Sequence, residues 1–466
     1  MRHQQMKSAT GVIRVLALVL VASACTVSHR TPRVNGATRS TTTTTPTAKT
    51  PTKPTATPPS TRTPRVAKSY DPLLRATAKS LARFWTKELP GVYDTDYKNL
   101  TGGLYAYSEG SAIPPCNGQS MPYLVLQQNA FYCQENDFIA WDDQGLFPRL
   151  EKRYGPFLLS IVLAHEWGHA IQQRSDIFTY GGIEAEQQAD CFAGAWAASL
   201  NKATDPALVV LRDRNLDRVL SGLIEFRDQL GITAATFGAH GTAFDRIRAF
   251  QDGFTGGTST CADYEDNLPE LVAIPFRSFK ERFRGGNMPF GQVLPSIRPE
   301  VVAYWKAKYG LGPFHFVNDA ADFLCMTKEV LPTGISRRKT SPQISWCADD
   351  QTVHYSETSL RKLYDTNGDF GVATVVALQW AAVEQSSAGQ DLTTKASALQ
   401  SICQVGGWTG SLYDENDPEA SALSPGDVDE AVRVLLEITS ENPAIGSGFE
   451  RVSAFRKGVL GSATAC

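Results

Sequence analysis

Two histidines and a glutamate stand at a spacing that suits a metal ion. In the sequence HEWGH, His165 and His169 lie four residues apart within an apolar stretch that predicts a helix over residues 157–173. Residues i and i+4 share one face of a helix, so both imidazoles can bind one cation. Glu166 lies beside them, placed to take a proton from water that the cation activates. The chain has only 7 histidines, which argues against a chance motif.

A second predicted helix, residues 184–200, supplies acidic side chains. A catalytic zinc usually takes three protein ligands and leaves a fourth position open for water. Glu186 and Asp190 share one face of this helix, and we expect Glu186 to be the third ligand. Asp190 would accept the free N–H of a ligand histidine and fix its tautomer. This ligand set favours one Zn²⁺ per chain, although other divalent ions also accept it.

The residues around the motif resemble a known family. The matching segments are HEWGHAIQ from His165, EQQADCFAG from Glu186, the stretch ending in Cys133, and His240-Gly241-Thr242 ahead of Arg246 and Cys261. They are similar to the bacterial neutral zinc metallopeptidases, a family of HExxH peptidases that includes mycobacterial-type lipoprotein peptidases. The resemblance covers residues 70–261 and implies a zincin-like fold, hydrolysis of peptide bonds and Glu186 as a ligand. Trp167 and the long region after Cys261 depart from the family pattern.

The chain also repeats itself. FDRIRAFQDG from Phe244 is matched by FERVSAFRKG from Phe449, and four cysteines and two tryptophans recur in the same order. We interpret the pattern as a duplication, with chance similarity as the alternative. The positions of the two histidines, the glutamate and the third ligand are occupied in the second copy by Leu378, Ala382, Gln379 and Ala398. The second copy is therefore expected to keep the fold without zinc, and to pack on the first as an intramolecular pseudo-dimer.

Length and periodicity together predict the architecture. A chain of 466 residues is too long for one compact core. The fold class that we predict is mainly α with a small β element around residues 131–142, built as a duplicated zincin-like domain. The predicted regions are a signal peptide (1–24), a disordered Thr/Pro-rich tether (25–69), a zinc metallopeptidase domain (70–262), a linker (263–290) and a degenerate repeat (291–466).

The N-terminal segment is predicted to direct export. Basic residues precede a short apolar run, Val12–Val21, which is too short to span a bilayer. The small residues 22–24 fit ordinary signal peptidase, whereas small residues before Cys25 resemble the bacterial lipobox. We favour lipidation of Cys25, with palmitate among the acyl chains, because removing this cysteine leaves an even number. The expected location is the cell envelope, at the outer face of the cytoplasmic membrane, with secretion as the alternative.

The eight cysteines after Cys25 predict disulfides, since an even set in an exported protein is typical of them. Pairing the first two and the last two cysteines of each copy gives Cys116–Cys133, Cys191–Cys261, Cys325–Cys347 and Cys403–Cys466. Each bridge would contribute roughly 2–4 kcal/mol by restricting the unfolded chain. Other connectivities are compatible with the sequence alone.

Two functions from different classes fit these features. One is a zinc metalloendopeptidase acting on peptides or proteins, in which His240 stabilises the oxyanion; a local hydrogen-bonding role for His240 fits equally well. The other is a non-catalytic binding or scaffold protein of the envelope that uses the paired copies as a recognition surface. A structural zinc site would need a fourth protein ligand. The net charge of −3 argues against nucleic acid as a partner.

Overall fold

The computed structural model of the chain covers the two predicted copies with gaps. It describes residues 68–111, 113–177, 182–200, 208, 213–232, 236, 238–319, 344–347, 350–413, 421–437, 445–461 and 465–466. The predicted signal peptide, nearly all of the predicted tether, and Cys25 lie outside these residues. In the described part of residues 68–466, no helix combines the length and the apolar character needed to cross a membrane.

The structure is mainly α-helical, as the sequence predicts, and contains two small sheets where the sequence predicted one small β element. The first half contains α1 (Asp71–Tyr93), β1 (Gly103–Tyr107), α2 (Tyr123–Leu126), β2 (Ala130–Cys133), β3 (Phe138–Asp142), α3 (Leu146–Tyr154), α4 (Phe157–Arg174), α5 (Ile183–Ser199), α6 (Asp213–Leu223) and α7 (Ala243–Ala262). A short helix, α8 (Phe279–Phe283), lies in the connection. The second half contains α9 (Phe290–Tyr309), β4 (His315–Asn318), β5 (Ile344–Cys347), β6 (Thr352–Tyr355), α10 (Glu357–Ser387), α11 (Lys395–Ser411), α12 (Asp427–Glu437) and α13 (Gly448–Gly461).

The two sheets have the same topology. The strand order is β1-β3-β2 in the first and β4-β6-β5 in the second. In each sheet the central strand pairs in parallel with the first strand and antiparallel with the other. Every residue of β3 is buried, because this central strand is covered on both faces. The strand-like stretch predicted over residues 131–142 is in fact two strands, since Asp137 takes a left-handed conformation (φ 49°) in the turn between them.

The helices of the two halves also follow one order. In each half a long helix precedes the sheet, and three further helices follow the helix at the motif position. In the first half Gly155 separates α3 from α4, and in the second Gly368 kinks α10 at the corresponding place. Buried residues from both halves form one continuous hydrophobic core.

The halves contact each other through reciprocal helix caps. Asp217 of α6 accepts hydrogen bonds from the backbone N–H groups of Gly448 and Phe449 at the start of α13, both at 2.8 Å. Asp429 of α12 accepts one from the N–H of Phe244 at the start of α7, at 3.0 Å. Carboxylates suit these positions because the first N–H groups of a helix lack partners within it. Each half therefore provides a hydrogen-bond acceptor for the backbone N–H groups at the start of a helix in the other half.

Three of the four predicted disulfides are present in the described residues. They are Cys116–Cys133, Cys191–Cys261 and Cys403–Cys466. Cys347 is disulfide-bonded, but its predicted partner Cys325 lies outside the described residues. The second bridge joins α5 to α7, and the third joins α11 to the segment after α13, so corresponding helices are linked in each half.

Candidate metal centre

The motif lies in a helix that is buried along most of its length. Fifteen residues of α4 are buried, including His165 and Glu166, and the helix begins directly after Pro156. Its first two turns are almost wholly apolar, which places the helix in the protein interior. Gly168 inside the motif faces α5, where a Cβ atom would lie 2.9 Å from Cα of Ala189. The glycine thus lets α5 approach closely enough for its side chains to reach the histidines.

The three predicted ligands come together. The Nε2 atoms of His165 and His169 are 3.2 Å apart. Glu186 places Oε2 at 3.2 Å from Nε2 of His165 and Oε1 at 3.6 Å from Nε2 of His169. One ligand atom from each residue lies within 4.8 Å of the other two. The side chains of α4 and α5 therefore converge on one point, as their helical spacing predicts.

The geometry and the chemistry of these atoms fit a bound zinc ion. Ligand atoms at about 2.0–2.1 Å in a tetrahedral arrangement lie roughly 3.3 Å from one another, close to the separations observed here. Both histidines use Nδ1 for another hydrogen bond, so in the neutral tautomers both Nε2 atoms present lone pairs to the same space. Oε2 of Glu186 is buried without a hydrogen-bond donor. With both imidazoles neutral, the three residues present only acceptor atoms to one another, an arrangement that suits a cation.

Each histidine is oriented by a different partner. Nδ1 of His165 donates to Oδ1 of Asp190 at 2.8 Å, the contact predicted for Asp190. Asp190 in turn accepts two hydrogen bonds from the guanidinium of Arg246, at 2.7 and 2.9 Å. Nδ1 of His169 donates to Oε1 of Gln172 at 2.9 Å, and the amide of Gln172 donates to the carbonyl of Ala185. Such partners fix the tautomer and the ring orientation of metal-binding histidines.

The sequence did not predict the positioning roles of Gln172 and Arg246, although Arg246 belongs to the segments that resemble the family. Gln172 lies three residues after His169, a spacing that places both on one helix face and was a usable signal. Arg246 lies 56 residues from Asp190 and is brought to it only by the packing of α7 on α5. No local sequence pattern predicts the contact between Arg246 and Asp190.

The carboxylates govern protonation at the site. Burial lowers the pKa of His165, but Asp190 and Glu186 outweigh it and raise the pKa to about 10. Burial raises the pKa of Glu186, but His169 and His240 outweigh it and hold the pKa well below its ordinary value. The same negative charge attracts a divalent cation, which must displace protons from the imidazoles when it binds.

Glu166 differs from Glu186 although both are buried. Burial raises the pKa of Glu166, and the nearby histidines only partly oppose the effect. A carboxylate whose pKa is moved upward toward neutrality can both accept and return a proton. Glu166 therefore suits proton transfer, whereas Glu186 stays ionised and suits a ligand.

His240 lies at the edge of the site. Its Nε2 is 3.7 Å from Oε2 of Glu186, and its Nδ1 is 3.4 Å from Oδ1 of Asp228. The backbone N–H groups of His240 and Gly241 both donate to Oδ2 of Asp228 at 2.8 Å, which holds the loop in place. The side chain of His240 is 37% exposed. The structure thus brings this residue next to the ligands with a ring nitrogen directed toward them.

Among the described residues of the second half, the positions that correspond to the two histidines and to Glu166 carry no metal-binding side chain. At the motif positions Leu378 and Ala382 are buried apolar residues. Gln379 hydrogen-bonds within the fold, accepting from the N–H of Trp346 at 3.0 Å and donating to the carbonyl of Val375. Arg451 binds the backbone carbonyls of Leu435 and Gly446. Gln379 and Arg451 therefore hydrogen-bond to the backbone of their own half.

Comparison with known proteins adds relatives but no activity. The chain is similar to uncharacterized proteins of Mycobacterium bovis and Mycobacterium tuberculosis. Each is 29% identical over 209 residues, covering 40% of this chain and 68% of the relative. No family model matches the chain, and no solved structure matches it.

Proposed function

We propose that the chain is an exported, lipid-anchored zinc metalloendopeptidase of the bacterial cell envelope. One observation carries the proposal: Nε2 of His165, Nε2 of His169 and the carboxylate oxygens of Glu186 face one another at separations of 3.2–3.6 Å, where α4 and α5 meet. Three protein ligands with a fourth position open are the arrangement of a catalytic zinc rather than a structural one. The resemblance of the HEWGH and EQQAD segments to neutral zinc metallopeptidases supports the same conclusion.

The residues of the site divide the reaction among them. A bound zinc ion would supply a Lewis acid that activates water and polarises the peptide carbonyl. Glu166 accepts the proton of the attacking water and returns it to the leaving amine. His240 hydrogen-bonds the carbonyl oxygen as negative charge develops on it. Asp190 and Gln172 keep the two imidazoles in the tautomer that presents Nε2 to the ion.

Replacing each glutamate separately tests the proposal. Glu166→Gln is expected to keep one zinc per chain and to lower kcat on a generic peptide by about 10²–10⁴-fold, because only the proton transfer is removed. Glu186→Gln should lose the zinc as well. Glu184→Gln is the matched control, since this glutamate lies on the same helix turn but is exposed. Metal analysis and a peptide-cleavage assay on the full chain measure both properties.

The outcomes separate the proposal from its alternative. Cleavage by Glu166→Gln at the rate of the parent would exclude this mechanism. A parent chain that binds zinc or peptides without cleaving any substrate would favour the non-catalytic scaffold. A second half without the predicted zinc ligands is also compatible with that function.

We also propose that the halves arose by duplication of one zincin-like domain and pack as an intramolecular pseudo-dimer. The shared sheet topology, the corresponding disulfides and the reciprocal caps of Asp217 and Asp429 support this origin. The second half then serves as a support. Asp429 holds the start of α7, the helix that carries Arg246, and so acts on the metal centre from outside it.

A further inference from the structure

Two phenylalanines of α8 extend into solvent. Phe279 and Phe283 are 83% and 84% exposed, more than any other large apolar side chain among the described residues. They are four residues apart and therefore share a helix face. Phenylalanine is normally buried, and neighbouring exposed rings mark an interaction surface.

The polar side of α8 is fixed to the protein. Arg277 donates to the carbonyl of Ser421 at 2.6 Å, and Glu281 accepts from the hydroxyl of Ser424 at 2.9 Å. The hydroxyl of Ser278 caps the helix by accepting from the N–H of Glu281 at 3.1 Å. Surface helices normally bury their apolar side and expose their polar side, and α8 does the reverse. The two rings are thereby held outward.

Basic side chains surround the rings. Lys280, Arg282 and Arg284 are exposed, and in the part of the chain that the structure describes no carboxylate lies within ion-pair distance of them. Residues 277–284 contain four basic side chains and one acidic side chain, a net charge of +3, whereas the whole chain carries −3. The α8 patch, made of Phe279, Lys280, Arg282, Phe283 and Arg284, is thus both aromatic and locally cationic.

We propose that the α8 patch docks on an anionic phospholipid surface. Exposed aromatic rings flanked by basic residues are the features with which interfacial helices bind acidic lipids. A stable protein partner would need about 800 Å² of complementary surface on each side, far more than five residues offer, whereas a lipid surface requires no matching shape. Docking would hold the folded part of the chain against the membrane, independently of any zinc chemistry.

Vesicle co-sedimentation tests the proposal on the full chain carrying Cys25→Ser, which removes the predicted acyl anchor. The chain is expected to bind vesicles of phosphatidylglycerol and phosphatidylcholine in equal parts, and to bind pure phosphatidylcholine much less. Phe279→Ser with Phe283→Ser should weaken binding to the mixed vesicles by about tenfold or more, because two apolar side chains no longer enter the interface. Lys280→Gln with Arg282→Gln should also weaken it and reduce its salt dependence.

Matched controls distinguish binding through the α8 patch from non-specific adsorption to vesicles. Leu124→Ser removes another highly exposed apolar side chain, and Arg75→Gln with Lys79→Gln removes two exposed charges of α1. Both controls should bind as the parent does, and all variants should keep the parent's melting temperature and zinc content. Equal binding by the phenylalanine variant would overturn the proposal. Absence of binding to the mixed vesicles would overturn it too, and would leave a protein as the partner of α8.

Discussion

Asp190 and Gln172 place the two histidines in unlike surroundings. Asp190 is ionised and held by Arg246, whereas Gln172 is neutral and held by α5. A charged acceptor increases the basicity of the imidazole that it binds more than a neutral acceptor does. His165 is therefore the stronger electron-pair donor to a metal ion. Asp190 is 1% exposed, and its charge is tolerated there because Arg246 neutralises it.

His240 provides a residue-scale prediction that distinguishes two kinds of zinc site. His240→Ala is expected to keep one zinc per chain and to lower kcat by about 10²-fold, because an oxyanion donor is lost while three ligands remain. Zinc content and steady-state kinetics check it. Loss of the zinc in this variant would identify His240 as a fourth ligand and the site as structural.

The sequence determined much of the site at this scale. The HEWGH spacing and the helical period correctly place His165, His169 and Glu186 at one point, and they place Asp190 against His165. They did not reveal Arg246 as the partner of Asp190 or Asp228 as the partner of His240, because both contacts depend on how distant elements pack. Periodicity specifies which face of a helix a residue occupies, but not which other helix will cover that face.

At the scale of the elements, α7 joins the site to the second half. Its N-terminal N–H at Phe244 is capped by Asp429, which also accepts from Arg227 at 2.8 Å. Arg246, two residues further along the same helix, binds Asp190. A change at Asp429 therefore reaches His165 through the first turn of α7 and one ion pair.

Asp429→Ala is expected to weaken zinc binding and to lower kcat, whereas Asp217→Ala should change neither. Both substitutions remove a helix cap and should cost about 1–2 kcal/mol of unfolding free energy, but Asp217 caps α13, which carries no ligand. Zinc affinity by chelator competition and kcat at matched stability check the difference. Asp429→Asn should restore most of the loss, because its side-chain oxygen still caps α7. Equal effects of both alanine variants on zinc affinity would exclude a positioning role.

A buried acidic cluster at the kink of α10 predicts a pH effect. Asp369, Asp427 and Glu430 lie within 4.8 Å of one another, and burial raises the pKa of each. Repulsion from Asp369 raises the pKa of Asp427 further, and repulsion from Asp427 and Asp369 raises that of Glu430. A carboxyl whose folded-state pKa lies above its unfolded-state value binds protons preferentially in the folded state. Its contribution to stability therefore decreases as pH rises from about 4 through the raised pKa.

Asp427→Asn should accordingly raise the melting temperature near pH 7 and change it little well below pH 4, where the parent's carboxyls are protonated in both the folded and the unfolded state. The expected gain is on the order of 1 °C for each kcal/mol in a chain of this size. Calorimetry across this pH range measures it. Asp365→Asn, on the same helix but exposed, is the control. A parent chain that is more stable at pH 7, relative to the variant, would contradict the prediction.

The element pattern was predictable where periodicity is strong and uncertain where turns intervene. The predicted helices over residues 157–173 and 184–200 agree with α4 and α5 to within one residue at each end. The apolar period over residues 213–230 also predicts a helix, but α6 ends at Leu223, where a 3-10 turn (Ile224–Phe226) leads into extended backbone at Arg227. The residue at which a helix ends is decided by turn geometry and tertiary contacts, and hydrophobic periodicity in the sequence predicts neither.

At the scale of the whole molecule, corresponding disulfides offer a paired experiment. Cys191–Cys261 closes a loop of 70 residues and Cys403–Cys466 one of 63. Removing either by double alanine substitution should cost about 4 kcal/mol, since the two loops have nearly equal length. Only the first removal should weaken zinc binding, because that bridge ties α5, which carries Glu186, to α7. Unfolding and chelator titrations check this, and equal zinc loss in both variants would contradict it.

The same helices cross at glycines in both halves. A Cβ on Gly194 would lie 2.0 Å from the carbonyl oxygen of Phe250, and one on Gly406 would lie 2.1 Å from that of Phe455. At each crossing the backbone of one helix contacts the backbone of the other. The crossing therefore does not depend on the side chains that the two helices carry elsewhere. Side chains elsewhere on these helices can therefore change while the crossing stays intact, and under the proposed function this tolerance would let one half keep a metal centre while the other keeps only its scaffold.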